Sequence, residues 1–217
     1  VMVQYGYQRV DPIEGKIRQT YYEQSKPRRI LWFPGIELES EGIFIYIKSP
    51  KFLPRGKAAG EWMKLYKSYG KEYKEHLFRD PDNRLELHPL FVWWHSLSHR
   101  LISWLAIDSG YPIASLRERV YFNGTEGGIL VYVSQPGTGG GLGGLCGLAD
   151  RIGDILKNAY LSAFLCSNDP LCIETPVVKG AYSGAACHAC LLLPETSCEH
   201  RNMWLDRRLL VQNRLFS

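Results

Sequence analysis

The stretch GAACHACLLLPETSCEHRN, residues 184–202, sets Cys187, Cys190 and Cys198 among His188 and His200. A Cys-x-x-Cys pair turns two sulfurs toward one point, and tetrahedral zinc asks for four such soft ligands. The fourth is sought upstream. Cys172, in SNDPLCIE, follows the turn signalled by Asp169 and Pro170 and completes the spacing Cys-x14-Cys-x2-Cys-x7-Cys. His188 or His200 could replace Cys172 or Cys198, and Cys146 and Cys166 read as core thiols. Competing chemistries fit less well. A redox Cys-x-x-Cys should open a helix after a strand, which SGAACHACLLLPE does not provide. Disulfides need an exported chain, and VMVQYGYQRV has no apolar leader. Buried free thiols remain the plain alternative. Four thiolates favour a closed structural zinc over a catalytic one, which keeps an open position for water.

A second set of chemically able residues lies earlier. His95 and His99 are four apart and share one helical face, with His88 a heptad before them. The spacing can grip a metal, but Ser96 stands where a His-Glu-x-x-His protease needs its glutamate. The plain reading is a pair of core histidines with Ser96 and Ser98 as partners. The enzymatic reading is a metal-independent phosphodiesterase or nuclease-type hydrolase. In it His95 and His99 act as base or nucleophile near the Gly139–Gly144 loop, assisted by Glu118 or Glu126. That glycine loop fits G-x-G-x-x-G between a strand and a helix, but no acidic strand end follows about twenty residues on. Gly143 and Gly144 are candidate phosphate contacts at the start of the next helix; a tight turn explains the glycines equally. Arg117, Arg119, Arg207 and Arg208 are candidate DNA-phosphate contacts. They could equally pair with Glu118, Glu195, Glu199 and Asp206; pairing is favoured for Arg117 and Arg119, and the tail arginines are left open.

The elements that must position these residues are legible in the patterning. The 217 residues are 45% hydrophobic and 22% charged with a net charge of +4, which suits a globular protein and does not by itself imply nucleic acid. No apolar run is long enough to span a membrane. The chain opens on Val1, which suggests a processed product or a piece of a longer protein. Residues 1–56 alternate as β-structure, and 57–78 read as an amphipathic helix followed by the turn RDPDNR. LHPLFVWWHSLSHRLISWLAIDSGY is the strongest helix, started by Pro89 and stopped by Gly110. Leu90, Trp94, Leu97, Leu101 and Trp104 form one stripe, and apolar residues continue round the cylinder, so this helix is expected to be buried. PIASLRERVY reads as a short helix, GGILVYVS as a buried strand, LADRIGDILKNAYLSAF as a helix and EHRNMWLDRRLLVQNRLF as an amphipathic closing helix. The expected class is α+β: a β-rich N-terminal part, central buried helices around a small sheet, and a C-terminal four-cysteine zinc module.

Five segments appear in this order: HSLSHRLI, DSGYPIASLRERVY, GGILVYVS with GLGGL, CSNDPLCIE, and GAACHACLLLPETSCEHRNMWLDRRLL. Together they resemble the C-terminal domain of DrmB-type accessory proteins of DISARM anti-phage systems. That domain is related to the zinc-binding domain that ends MrfA-type repair helicases. The resemblance covers roughly residues 85–212; it implies a DrmB-type domain with its zinc-binding module over 85–217 and leaves 1–84 as a β-rich segment with one amphipathic helix. It implies zinc on Cys172, Cys187, Cys190 and Cys198, a DrmA-like superfamily-two helicase partner, DNA binding, no membrane, and a cytoplasmic place of action. The chain carries no helicase motifs, so a non-catalytic accessory is expected.

Overall fold

The computed structural model describes residues 2–4, 6–7, 18–19, 21–24, 30–47, 53–68, 87–136, 141–178 and 183–213. The later part of the helix expected over 57–78, the RDPDNR turn, Gly139, Gly140 and Arg214 lie outside them. Contacts divide the chain into two units. One comprises residues 1–40 and 134–141, and the other 41–133 and 142–217.

The first unit holds short antiparallel ladders. β1 (Met2–Val3) pairs with β6 (Gly35–Ile36), β2 (Gly6–Tyr7) with β3 (Arg18–Gln19), and β4 (Tyr22–Gln24) with β5 (Ile30–Trp32). Residues of β4 and β5 face solvent throughout.

The second unit is built on one long helix. α1 (Lys57–Lys67) is followed by α2 (Pro89–Ser109). The His88 imidazole accepts the Leu90 N–H at 3.1 Å as the N-terminal cap, Pro89 fills the first position, and Gly110 ends the helix at φ 75°. Trp93, Leu101, Ile102 and Leu105 are fully buried, and nearly all of the first three turns is hidden. A helix apolar on most sides must be enclosed on most sides. α1, the sheet, α3 (Ile152–Ser162) and α4 (Arg207–Val211) do this.

The sheet has the strand order β7–β9–β8, with β7 Leu38–Tyr46, β8 Leu116–Phe122 and β9 Gly127–Pro136. β8 corrects the helix expected for PIASLRERVY: only Ile113–Ser115 forms a helical turn, and LRERVYF is a strand. Its burial alternates, with Leu116 and Glu118 inside and Arg119 and Tyr121 outside. That period of two marks a half-buried strand, and β9 supplies its ladder from Leu116↔Val133 to Phe122↔Gly127. The closing helix is also shorter than expected. Arg201, Asn202 and Trp204 have φ of 54°, 59° and 57°, so residues before Arg207 turn instead of coiling. The architecture is α+β, with strands N-terminal, helices central, and a C-terminal four-cysteine cluster.

Candidate metal centres

Two loops carry the four sulfurs. The turn after α3 brings Cys166 and Cys172, and the turn at 187–192 brings Cys187 and Cys190. The Cys187 carbonyl accepts the N–H groups of Cys190, Leu191 and Leu192, which folds the Cys-x-x-Cys pair into a knuckle and not a helix start. Cys166 and Cys187 sulfurs are 3.5 Å apart, Cys187 and Cys190 3.6 Å, Cys172 and Cys190 3.7 Å, and all four lie within 4.8 Å of one another. Zinc–sulfur bonds of about 2.3 Å in a tetrahedron separate sulfurs by about 3.8 Å, so the cluster has the size of a zinc cage. These separations are far beyond a disulfide bond of about 2.0 Å. Backbone and amide donors point at the sulfurs: Asn168 N to Cys166 at 3.4 Å, Asn168 Nδ2 to Cys187 at 3.4 Å, and Cys187 N to Cys190 at 3.4 Å. Burial acts against ionising Cys187, but hydrogen bonds from Cys166 and the Ala189 N–H bring its thiol down to about 7. Burial pushes Cys172 up to about 11. A bound zinc would hold these sulfurs as thiolates and tie the two loops together.

The structure gathers Cys166 with Cys172, Cys187 and Cys190, and Cys198, expected as the fourth ligand, is not among them. Cys166 looked like a core thiol, but the Cys-x5-Cys of CSNDPLC, closed by the Asp169–Pro170 turn, is a second two-sulfur end. That symmetry was the available signal. Cys146, also read as a core thiol, is exposed. His188 is exposed, and neither it nor His200 joins the sulfurs.

Cys198 lies elsewhere, with His95, His99 and Glu118. The two histidines come from one face of α2, and Glu118 reaches them from the inward stripe of β8. His95 Nε2 is 2.7 Å from Glu118 Oε1, and His99 Nε2 is 3.2 Å from the same oxygen. His95 Nε2 is 3.2 Å from Cys198 Sγ and 3.1 Å from His99 Nε2. Ser98 donates to the His95 carbonyl and contacts Glu118, whereas Ser96 accepts the Asp206 N–H. Neither serine partners a ring nitrogen, contrary to expectation. Burial pushes His95 down to about 4, with Glu118 acting against it. His88 is not part of this group; it packs between Tyr66 and Phe122. The four groups are 0–5% exposed, so His95, His99 and Glu118 lie in the core.

The phosphate candidates divide in a way the charge pattern did not reveal. Arg207 is fully buried, donates to the Ala163 carbonyl at 3.0 Å and pairs with Asp169. Arg208 pairs with Asp206 at 2.7 Å and Glu61 at 2.8 Å. Both tail arginines are internal struts. Arg119 is exposed beside the Tyr121 ring, its guanidinium carbon 5.6 Å from the centroid, and Arg117 is half-buried; the Glu118 between them turns inward to the histidines. In the glycine loop, Gly143 has φ 127° and Gly144 packs against Tyr111. The helix-start amides of Leu145 and Cys146 already hold an anion: Glu41 accepts them at 3.0 and 3.2 Å, and the Tyr111 hydroxyl at 2.7 Å. Glu126 lines a hollow with Phe44, Tyr46 and Tyr121.

Residues 97–191 match the family model of the MrfA Zn-binding domain. They hold His99 and Glu118 of the second cluster and all four of Cys166, Cys172, Cys187 and Cys190; His95 and Cys198 lie outside the match. Over 98% of its length the chain is 32% identical to the DISARM protein DrmB of Bacillus paralicheniformis (strain ATCC 9945a / NCIMB 11709 / CD-2). It spans 39% of that relative's length. Among the described residues, no helix is long and apolar enough to cross a membrane.

Proposed function

We propose that the chain is a zinc-stabilised, non-catalytic module of an anti-phage defence complex that binds a superfamily-two helicase of the DrmA type and DNA, in the cytoplasm. The observation that carries this reading is the zinc-sized four-sulfur cluster of Cys166, Cys172, Cys187 and Cys190 inside the segment that matches a zinc-binding domain. Similarity to a DISARM protein supports the defence setting, and the MrfA-type match supports a helicase neighbour.

For DNA, the outer face of the sheet has the right chemistry. Phe44, Tyr46 and Tyr121 are 45–54% exposed there. Phe44 stacks on Tyr46 at 5.9 Å and meets Tyr121 edge-on at 5.7 Å, with Arg119 beside them. They border a hollow of about 530 Å³. Aromatic rings with an arginine form a platform for unpaired bases, worth about 1–3 kcal/mol per stacked base. The test is co-purification with the helicase and fluorescence anisotropy with a single-stranded oligonucleotide. Tyr121→Ala and Phe44→Ala are expected to weaken binding about 5- to 150-fold each. Capture of no helicase, or unchanged DNA affinity in both variants, would refute the corresponding half of the proposal.

A further inference from the structure

The second cluster gathers two imidazoles, a carboxylate and a sulfur at one buried point. His95 Nδ1 is 3.2 Å from the Trp204 carbonyl oxygen and His99 Nδ1 is 2.7 Å from the Leu191 carbonyl oxygen. A carbonyl only accepts, so each Nδ1 carries the proton and donates it. Each neutral ring then presents a bare lone pair at Nε2. Those two lone pairs face each other at 3.1 Å. A carboxylate oxygen lies 2.7 and 3.2 Å from them, and a sulfur lies 3.2 Å from one. Four electron-pair donors thus converge on one buried point. A proton on His95 Nε2 would serve the short contact to Glu118 but leave the His99 lone pair against the same oxygen. A cation at the centre satisfies all four.

We infer that His95 Nε2, His99 Nε2, Glu118 and Cys198 form a second metal site, distinct from the four-cysteine cluster, that takes a divalent zinc ion. The donor set fits: imidazole, carboxylate and thiolate are the zinc ligands of proteins. Bond lengths of about 2.0–2.3 Å in a tetrahedron put such donors about 3.3–3.6 Å apart; the contacts seen, 2.7–3.2 Å, are tighter, and all four ligand atoms lie within 4.8 Å of one another. Charge fits as well, since a carboxylate and a thiolate balance a divalent cation and leave a neutral unit in the core. The surroundings are those of a metal site. Carbonyl-bound Nδ1 atoms fix both rings, as outer partners of ligating histidines do. Cys198 Sγ accepts the N–H groups of His200 and Asn202, both at 3.3 Å, in a turn held by left-handed Arg201 and Asn202. Asn202 is clamped in turn to Leu193 N and O, both at 2.9 Å. Four protein ligands and near-complete burial make the site closed and structural. It would join α2, β8 and the 198–202 turn at the centre of the unit. Leu191, whose carbonyl orients His99, directly follows Cys190 of the other cluster, so the two centres brace one another.

Elemental analysis and native mass spectrometry of the purified chain test this. Two zinc ions per chain are expected, with one lost in His99→Ala or Cys198→Ala and the other lost in Cys187→Ser. One zinc that survives His99→Ala and disappears in Cys187→Ser overturns the second site and leaves the four-cysteine site standing. One zinc with the reverse behaviour upholds the second site and removes the first. Should the variants fail to fold, zinc-edge X-ray absorption of the unsubstituted chain decides. A sulfur shell at about 2.3 Å joined by a nitrogen/oxygen shell at about 2.0–2.2 Å supports the site. A pure sulfur shell refutes it.

Discussion

Glu41 shows how a single residue takes over a position that a motif seems to reserve for a ligand. Its carboxylate occupies the helix-start amides behind the glycine loop, the place where a phosphate would sit. Burial works against its charge, but the N–H of Leu145, the Tyr111 hydroxyl and further backbone donors outweigh it and lower its pKa from 4.5 to about 2. The folded state therefore prefers the ionised form. Its contribution is present above about pH 4.5 and disappears as pH falls toward 2. Glu41→Gln is expected to lower stability near neutral pH and to flatten the acid limb of stability between those values, measured by denaturant unfolding across pH. An unchanged acid limb would show that the loop does not depend on this anion. Asp206 plays a comparable internal part, accepting Trp62 Nε1 at 2.9 Å, Ala185 N at 3.2 Å and the Arg208 guanidinium. It explains why charged LDRR lies in a core.

At the scale of elements, the sheet and α2 approach so closely that glycine is required between them. A Cβ on Gly127 would fall 2.1 Å from Trp94 Nε1, whereas one on Gly60 of α1 would meet nothing within 4 Å. Gly127→Ala is expected to destabilise by about 1–3 kcal/mol through overpacking. Gly60→Ala should stabilise by about 0.5–1 kcal/mol, because the helix interior prefers alanine. Thermal unfolding of the pair checks both signs. Packing of β8 on α2 places Glu118 beside His95 and His99. α2 was readable because its cap, proline, apolar surround and stop glycine agree. β8 was misread because LRERVY carries helix-favouring residues, and only its ladder with β9 and the inward turn of Glu118 make it a strand.

Across the whole molecule, metal binding and folding should be one equilibrium. The four-cysteine cluster closes the 166–172 segment onto the 187–190 knuckle, and Cys198 ties the next turn to α2. A structural zinc can supply ~10 kcal/mol or more of folding free energy. Treatment with a strong chelator under reducing conditions is expected to abolish the cooperative thermal transition, and added zinc to restore it. A chelated chain that is shown to have lost its zinc but keeps the same transition would contradict this. By itself the sequence determined the chemical repertoire: a Cys-x-x-Cys zinc signature, a histidine pair on a buried helix, the α+β class, and the resemblance to DrmB-type domains. Residue type and short-range spacing suffice for these. Only tertiary structure decided the partition. It put Cys166 with the sulfurs, moved Cys198 to the histidines, turned Arg207 and Arg208 inward, and filled the glycine loop with Glu41. Each choice joins residues far apart in the chain, where packing and charge neutralisation, not spacing, select the partner.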